Sequence, residues 1–175
     1  LPNISVISVN MFILWILRIK DNFMNIMKRI FNPQKHTIFT PMNKDKYRGE
    51  IPLIVRSSWE HNFCKWCDIN PNILLWASES LAIQYYDEIK KKNRRYYPDF
   101  IMVIKDKEGK EKVYVVEIKP WAQTQPPVRG NKKESTFLNE VATYQTNLTK
   151  WNAAEKYCKQ HGNFFKILTE RDLFK

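Results

Sequence analysis

The run Val113 to Ile118 (VYVVEI) constrains this chain more than any other segment. It is β-branched, aromatic and almost entirely apolar, the pattern of a central strand covered on both faces. Yet it carries Glu117 next to its end and continues into Lys119 and Pro120. A charged pair at the end of a buried strand is costly unless it has a use. Side chains alternate across a strand, so Glu117 and Lys119 share one face while Ile118 turns to the other, where it can bury.

Upstream, Phe100 to Lys105 reads as a second strand, and Lys107-Glu108-Gly109-Lys110 supplies the turn between the two. A hairpin folded there brings residues 99 to 104 alongside 113 to 118, which puts Asp99 next to Glu117. Each feature alone has an ordinary explanation. An Asp after Pro98 at a strand start is often a turn residue, and Glu-x-Lys on a strand is often an exposed ion pair. Together they are much more specific. One carboxylate from each strand makes a cage of hard oxygen ligands that suits Mg²⁺, with Mn²⁺ as a substitute. Hydrolysis of a phosphodiester needs such a cage, because one or two divalent ions activate the attacking water and neutralise the leaving alkoxide. Lys119 beside it can steer or deprotonate that water, or stabilise the developing charge.

The chain's charge agrees with a phosphodiester substrate. It has 29 Lys and Arg against 18 Asp and Glu, a formal charge of +11. That balance favours a polyanionic partner, nucleic acid ahead of an anionic membrane surface, with simple solubility as the bland alternative. Ten Phe, eight Tyr and six Trp are enough to build a real core, which argues against wholesale disorder. Cys64, Cys67 and Cys158 do not form a disulfide framework. Cys64 and Cys67 make a C-x-x-C that His61, His161 and Cys158 would have to complete as a metal site. Three partly buried thiols in a reducing compartment is the favoured reading.

Along the rest of the chain, Pro33, Pro41, Gly49 and Pro52 mark residues 32 to 55 as irregular. Lys44, Lys46, Tyr47 and Arg48 form a basic, aromatic cluster within them. Ser57 or Ser58 caps a helix whose face is Trp59, Phe63 and Trp66, stopped by Asn70-Pro71. Ile73 to Ala77 and Leu81 to Tyr86 are candidate strands, and Lys90 to Arg95 (KKKNRR) reads as a dense basic turn. Leu138, Val141, Leu148, Trp151 and Cys158 repeat at helical spacing, predicting a long helix that ends near Gly162. Phe164 to Leu168 is a final strand, and Thr169 to Asp172 caps a short last helix. This order makes a mixed central sheet flanked by helices, an α/β fold.

The N-terminus stands apart. The chain begins with Leu1, and residues 4 to 19 are mostly apolar, but the unbroken run Met11 to Leu17 is far short of the roughly 20 residues a bilayer span needs. No basic region precedes it and no small-residue cleavage site follows it. It reads as a docking helix, as an interfacial anchor with Arg18, Lys20, Lys28 and Arg29, or as translated upstream sequence with the start at Met24 or Met27. The expected division is an extension over residues 1–39 and a working domain over 40–175.

With these residues in hand, "YYPDF … VVEIKP" resembles the PD-(D/E)xK signature of restriction-endonuclease-like nucleases. The wider pattern, from "RSSWEHNF" through "TYQTNLTKWNAAEKYCKQHGNFFKILTE", is similar to two related groups. One is the head completion nucleases of tailed phages, which act on packaged DNA so that heads can join tails. The other is the TnsA-like transposon endonucleases. The resemblance covers about residues 40 to 172. It implies a restriction-endonuclease-like core and a Mg²⁺-dependent endo- or exonuclease. Asp99 and Glu117 would then bind the metal, Lys119 would serve the water, and Glu60 would complete the metal site. The carbonyl of Ile118 is a natural extra ligand. Gln123 follows the motif closely enough to reach the site, and Glu79 reads as an ordinary strand residue where TnsA-like proteins often show Gln.

The implied partner is DNA, gripped by Lys92, Arg94 and Arg95 with their neighbours Lys90 and Lys91, and by Arg129, Lys132 and Lys133 in the loop after Pro127. Without a reader module, structure-directed or nonspecific cutting is expected. Portal, neck or other head completion proteins are the expected protein partners, and the host cytoplasm and the virion the expected locations. Two other readings stand beside this one: a neck structural protein built on a nuclease fold, and a nuclease subunit of a transposition or recombination complex.

Overall fold

The computed structural model describes residues 37–173. Most of the expected N-terminal extension therefore lies outside the described residues. The elements run β1 (Thr37–Phe39), β2 (Leu53–Val55), α1 (Ser58–Ile69), β3 (Ile73–Ser78), β4 (Ile83–Asp87) and β5 (Lys92–Tyr96). They continue with β6 (Phe100–Lys105), β7 (Glu111–Ile118), a 3₁₀ turn (Trp121–Thr124), α2 (Glu134–Gln160), β8 (Phe164–Leu168) and α3 (Glu170–Leu173).

The central sheet has the order β3-β6-β7-β8. Strands β3, β6 and β7 are antiparallel neighbours, and β8 lies parallel to β7. A parallel step needs a crossover, and α2 supplies it. The sheet is thus mixed and flanked by helices, an α/β arrangement. The run VYVVEI occupies the inner strand β7, where Val115 and Val116 are fully buried on opposite faces. Central placement explains why that run carries no polar alternation.

The two faces of the sheet hold separate cores. On one, Phe100, Met102, Val116, Ile118 and Trp76 pack with Phe63, Cys64 and Cys67 of α1 and with Phe39, Leu53 and Val55 of the β1–β2 ribbon. On the other, α2 packs against β4 and β8, with Ala154 meeting Ile83, Tyr85 and Tyr96 and half-buried Phe165 beside them. Each large apolar side chain buried in this way contributes about 1.5–3 kcal/mol. All three cysteines are buried inside these layers.

Two regions differ from the sequence-based expectation. Residues 32–55 are not wholly irregular, because β1 pairs with β2 in an antiparallel ribbon, so the folded unit takes in 37–39. Lys90 to Arg95 is not simply a turn: Lys92 to Tyr96 form a strand paired residue for residue with β4. Lys, Asn and Arg have weak strand propensity. What makes this segment a strand is its partner, whose residues Ile83, Tyr85 and Asp87 are buried.

The loop before α1 is tied down by one buried carboxylate. Asp68 is 1 % exposed and accepts from the backbone N–H groups of Met42 at 2.9 Å and Asn43 at 3.1 Å. Lys46, from the basic cluster of that loop, donates to the Asp68 and Asn70 carbonyls at the end of α1. Removing Asp68 leaves two donors without an acceptor, at about 1.5–3 kcal/mol for a charged hydrogen bond. Asp68→Ala is expected to lower stability by about 3 kcal/mol, read as a drop in the urea midpoint at unchanged slope.

Candidate active site

Strand register brings the site together. Phe100 pairs with Val116 and Ile101 with Val115, so one step further Asp99 faces Glu117 across the β6–β7 pair. Directly opposed residues of an antiparallel pair point to the same face. That face is the one covered by α2 and the β4–β5 ribbon. Two like charges side by side there repel, and three contacts offset part of the repulsion. Tyr96 at the end of β5 donates its hydroxyl to Glu117 Oε2 at 2.6 Å. Lys119 Nζ lies 2.8 Å from Glu117 Oε1. The backbone N–H of Ile118 donates to Asp99 Oδ2 at 2.6 Å.

Glu117 is 4 % exposed. Burial first, and the Glu117 charge second, push the Asp99 carboxyl up to about 7, against the pull of Lys119 and the Ile118 N–H. For Lys119, burial works against the ammonium, but the charges of Asp99 and Glu117 outweigh it and hold the group above its ordinary range. Burial and the Glu117 carboxylate together push the Tyr96 hydroxyl well up, so it stays a donor. A carboxyl near pH 7 beside a buried carboxylate and a lysine is the electrostatic pattern of a site that takes a proton or a cation.

Glu60 is engaged at the start of α1. Its Oε1 accepts from Ser57 Oγ at 2.8 Å and its Oε2 from the Arg56 N–H at 2.9 Å, while Ser57 Oγ accepts from the Glu60 N–H. This is a variant of the capping box at the start of α1, its return bonds coming from the Arg56 N–H and the Ser57 hydroxyl rather than the Ser57 N–H. Helix α1 packs on the sheet face opposite Glu117, and among the described residues no three His, Cys, Asp or Glu side chains gather into a metal-holding group. Glu60 is a charged neighbour of Asp99, and the carboxylates brought face to face are two.

The other expected residues are exposed. Gln123 sits exposed on the 3₁₀ turn. Arg129 is exposed, and Lys132 is paired with Glu140 at 2.6 Å. Arg94 is bound 3.2 Å from the buried Asp87 carboxylate, while Lys92 and Arg95 are exposed. Glu79 follows β3 with a left-handed backbone, donates its N–H to the Asp99 carbonyl at 3.1 Å and pairs with Arg56. A groove of about 730 Å³ opens there, lined in part by Arg48, Arg56, Ser78, Glu79 and Tyr97.

Two residues near the site were not expected from the sequence. Tyr96 is one; its place in "YYPD" was visible, but not its reach to Glu117. The other is Lys150 of α2, whose Nζ lies 5.7 Å from the Tyr96 ring centroid. Burial lowers its affinity for a proton, and the Glu117 charge raises it. The segment after Lys119 is also anchored, since the Trp121 N–H donates to Glu170 at 2.8 Å and Arg171 lies over the Trp121 ring.

Residues 70–170 match the family described as TnsA-like endonuclease N terminal, which is more than half of the chain. The chain belongs to the TnsA-like endonuclease family. That membership makes it a nuclease and agrees with a restriction-endonuclease-like core. The TnsA-like match includes Asp99, Glu117, Lys119 and Tyr96 and leaves out Glu60. The chain is also 41 % identical over 140 residues to the Head completion nuclease of Enterobacteria phage T4, covering 77 % of this chain and 91 % of that protein. No solved structure matches it. Among the described residues, no helix is long and apolar enough to cross a membrane.

The raised Asp99 carboxyl has a measurable consequence. A folded-state pKa above the unfolded value of about 3.9 gives stability that is present at low pH and lost as pH rises through 7. Asp99→Asn keeps the acceptor for the Ile118 N–H and removes the charge. Without divalent ions, the variant should match the wild type near pH 4 and melt at higher temperature by pH 8. Equal melting curves at both pH values would show that the repulsion is absent.

Proposed function

We propose that the chain is a divalent-metal-dependent deoxyribonuclease that acts in completing phage heads. The observation that supports this best is Asp99 facing Glu117 with Lys119 beside them. The Head completion nuclease likeness, which runs over 91 % of that relative, supports the biological setting. The donor set fits a hard cation: two carboxylates at the end of adjacent strands, with the Ile118 carbonyl leaving β7 on the Asp99 side as its N–H does. Mg²⁺ is the natural occupant, and Mn²⁺ substitutes. When bound, such an ion supplies Lewis-acid chemistry to the attacking water and the leaving oxygen.

The chain's own residues do the rest. Asp99 and Glu117 hold the cation, and Tyr96 fixes the Glu117 carboxylate. Lys119 orients the attacking water and balances charge that builds on the phosphate oxygens. Glu60 adds negative potential from the start of α1. Lys92, Arg95, Arg129 and Gln123 lie exposed for DNA, as Lys132 does when released from Glu140. Cutting within a strand follows from the family, and trimming from an end is a further capacity of the same site. The host cytoplasm during assembly, and contact with portal or neck proteins, belong to the same reading. The family match supports a second setting, a transposition complex, with the same residues in the same roles.

Purified protein incubated with supercoiled plasmid and Mg²⁺ is expected to nick or linearise it, and not in EDTA. Asp99→Ala should abolish cutting, and Lys119→Ala should slow it by about 10²-fold or more. Cutting that survives both substitutions in folded protein would remove the site assignment.

A further inference from the structure

The β4–β5 ribbon has two unlike faces. Ile83, Tyr85 and Asp87 of β4 are buried, Ile83 and Tyr85 against α2; Arg94 is locked to Asp87 on that side, and Lys92, paired with Asp87 near the tip, stands exposed on it. The opposite row is Gln84 paired with Arg95 and Tyr86 paired with Asn93, and all four are exposed. Tyr86 is 44 % exposed. The tip, Glu88 to Lys91, is exposed too. Five basic residues stand against two acidic ones between Ile83 and Tyr96, and both acids are already paired, Asp87 with Arg94 and Glu88 with Lys91. Among the described residues, Lys90, Lys92 and Arg95 have no ion-pair partner.

We propose that this ribbon is the duplex-binding element of the enzyme, with Gln84, Tyr86, Asn93 and Arg95 lying in the major groove and Lys90 and Lys92 on the flanking phosphates. The inference rests on the nuclease reading and goes beyond it, to which surface holds the substrate and in what form. A major groove about 12 Å wide admits a two-stranded ribbon. Two strands about 4.8 Å apart with their side chains fill it. Arg, Asn and Gln are the side chains that reach base edges there, and lysines at the tip meet phosphates. The ribbon is also placed for it. Its last residue, Tyr96, holds Glu117, and Asp99 follows three residues later. Five residues at about 3.3 Å each carry the ribbon about 17 Å from the site, or about five base pairs of duplex. The helix beneath keeps that arm from swinging.

The test uses a 30-base-pair duplex and the matching single strand, with binding read by fluorescence anisotropy in Ca²⁺ across a salt series. The variants are Lys90→Ala/Lys92→Ala/Arg95→Ala and, separately, Tyr86→Ala/Asn93→Ala, each checked for an unchanged melting temperature. The triple variant should bind duplex at least tenfold more weakly. Its log–log salt slope should be shallower by about 0.9 for each phosphate no longer neutralised. The double variant should lose affinity with the slope unchanged. Wild-type protein that cuts plasmid while both variants bind duplex as tightly as it does would overturn the ribbon assignment and leave the nuclease standing. Loss confined to the single strand would overturn the groove-bound duplex. Wild-type protein that neither cuts nor binds DNA would overturn both readings.

Discussion

The site depends on one register. Because Phe100 sits opposite Val116, Asp99 sits opposite Glu117. A slip of one residue would turn Asp99 to the face of Phe63 and Cys64, where nothing could answer its charge. Two things resist that slip. Phe100, Met102, Val116 and Ile118 alternate into the core under α1, so any odd shift would drive them outward. At the far end of the hairpin, Asp106 accepts from the Glu108 and Lys110 N–H groups and pairs with Lys112, while Gly109 takes a left-handed conformation with φ +80°. The turn and the core thus agree on one alignment, and the carboxylates inherit it.

Electrostatics then decide what that alignment can do. Two facing carboxylates in a half-buried place cannot both be ionised without help. Tyr96, Lys119 and the Ile118 N–H each supply part of it. The remainder shows as the Asp99 carboxyl held near pH 7. A proton and a divalent cation relieve the same repulsion, so the features that make the metal-free site resist ionisation also make it receptive to a cation. Lys119 neutralises Glu117 and stands beside the oxygens that, in the proposed function, would hold a cation.

Much of this was legible from residue patterns, and the failures have physical causes. β6 and β8 lie at the expected residues because short apolar runs bounded by Gly, Pro and charged turns leave little choice. Ser57 was readable as a cap, and Ser57-x-x-Glu60 also spells the cap contact that the structure shows, which Glu60 makes beside the role the resemblance implies for it. β5 was hidden because its five residues are nearly all charged or amide, and its strand state comes from pairing to β4 rather than from its own preference. Tyr96 and Lys150 were hidden for a different reason. Their place beside Glu117 depends on how α2 and the ribbon pack on the sheet, and no short-range pattern encodes that.

Helix α2 links these parts. It is the crossover that lets β8 run parallel to β7, and β8 in turn fixes the end of β7, since the Lys119 N–H donates to the Leu168 carbonyl at 2.9 Å. The same helix carries Ala154, on which the ribbon rests, and Lys150, which lies over the Tyr96 ring. Carboxylate strand, ribbon and Lys150 are therefore referred to one helix of 27 residues. Were the ribbon a free arm, Tyr96 would reach Glu117 only part of the time and the Asp99–Glu117 repulsion would open the hairpin end. Because one face of the ribbon is packed on α2, its other face is held out at a constant distance from the carboxylates. A nuclease must hold a phosphate to within about an ångström of its in-line place beside the attacking water, and it needs that fixed distance more than it needs any single contact.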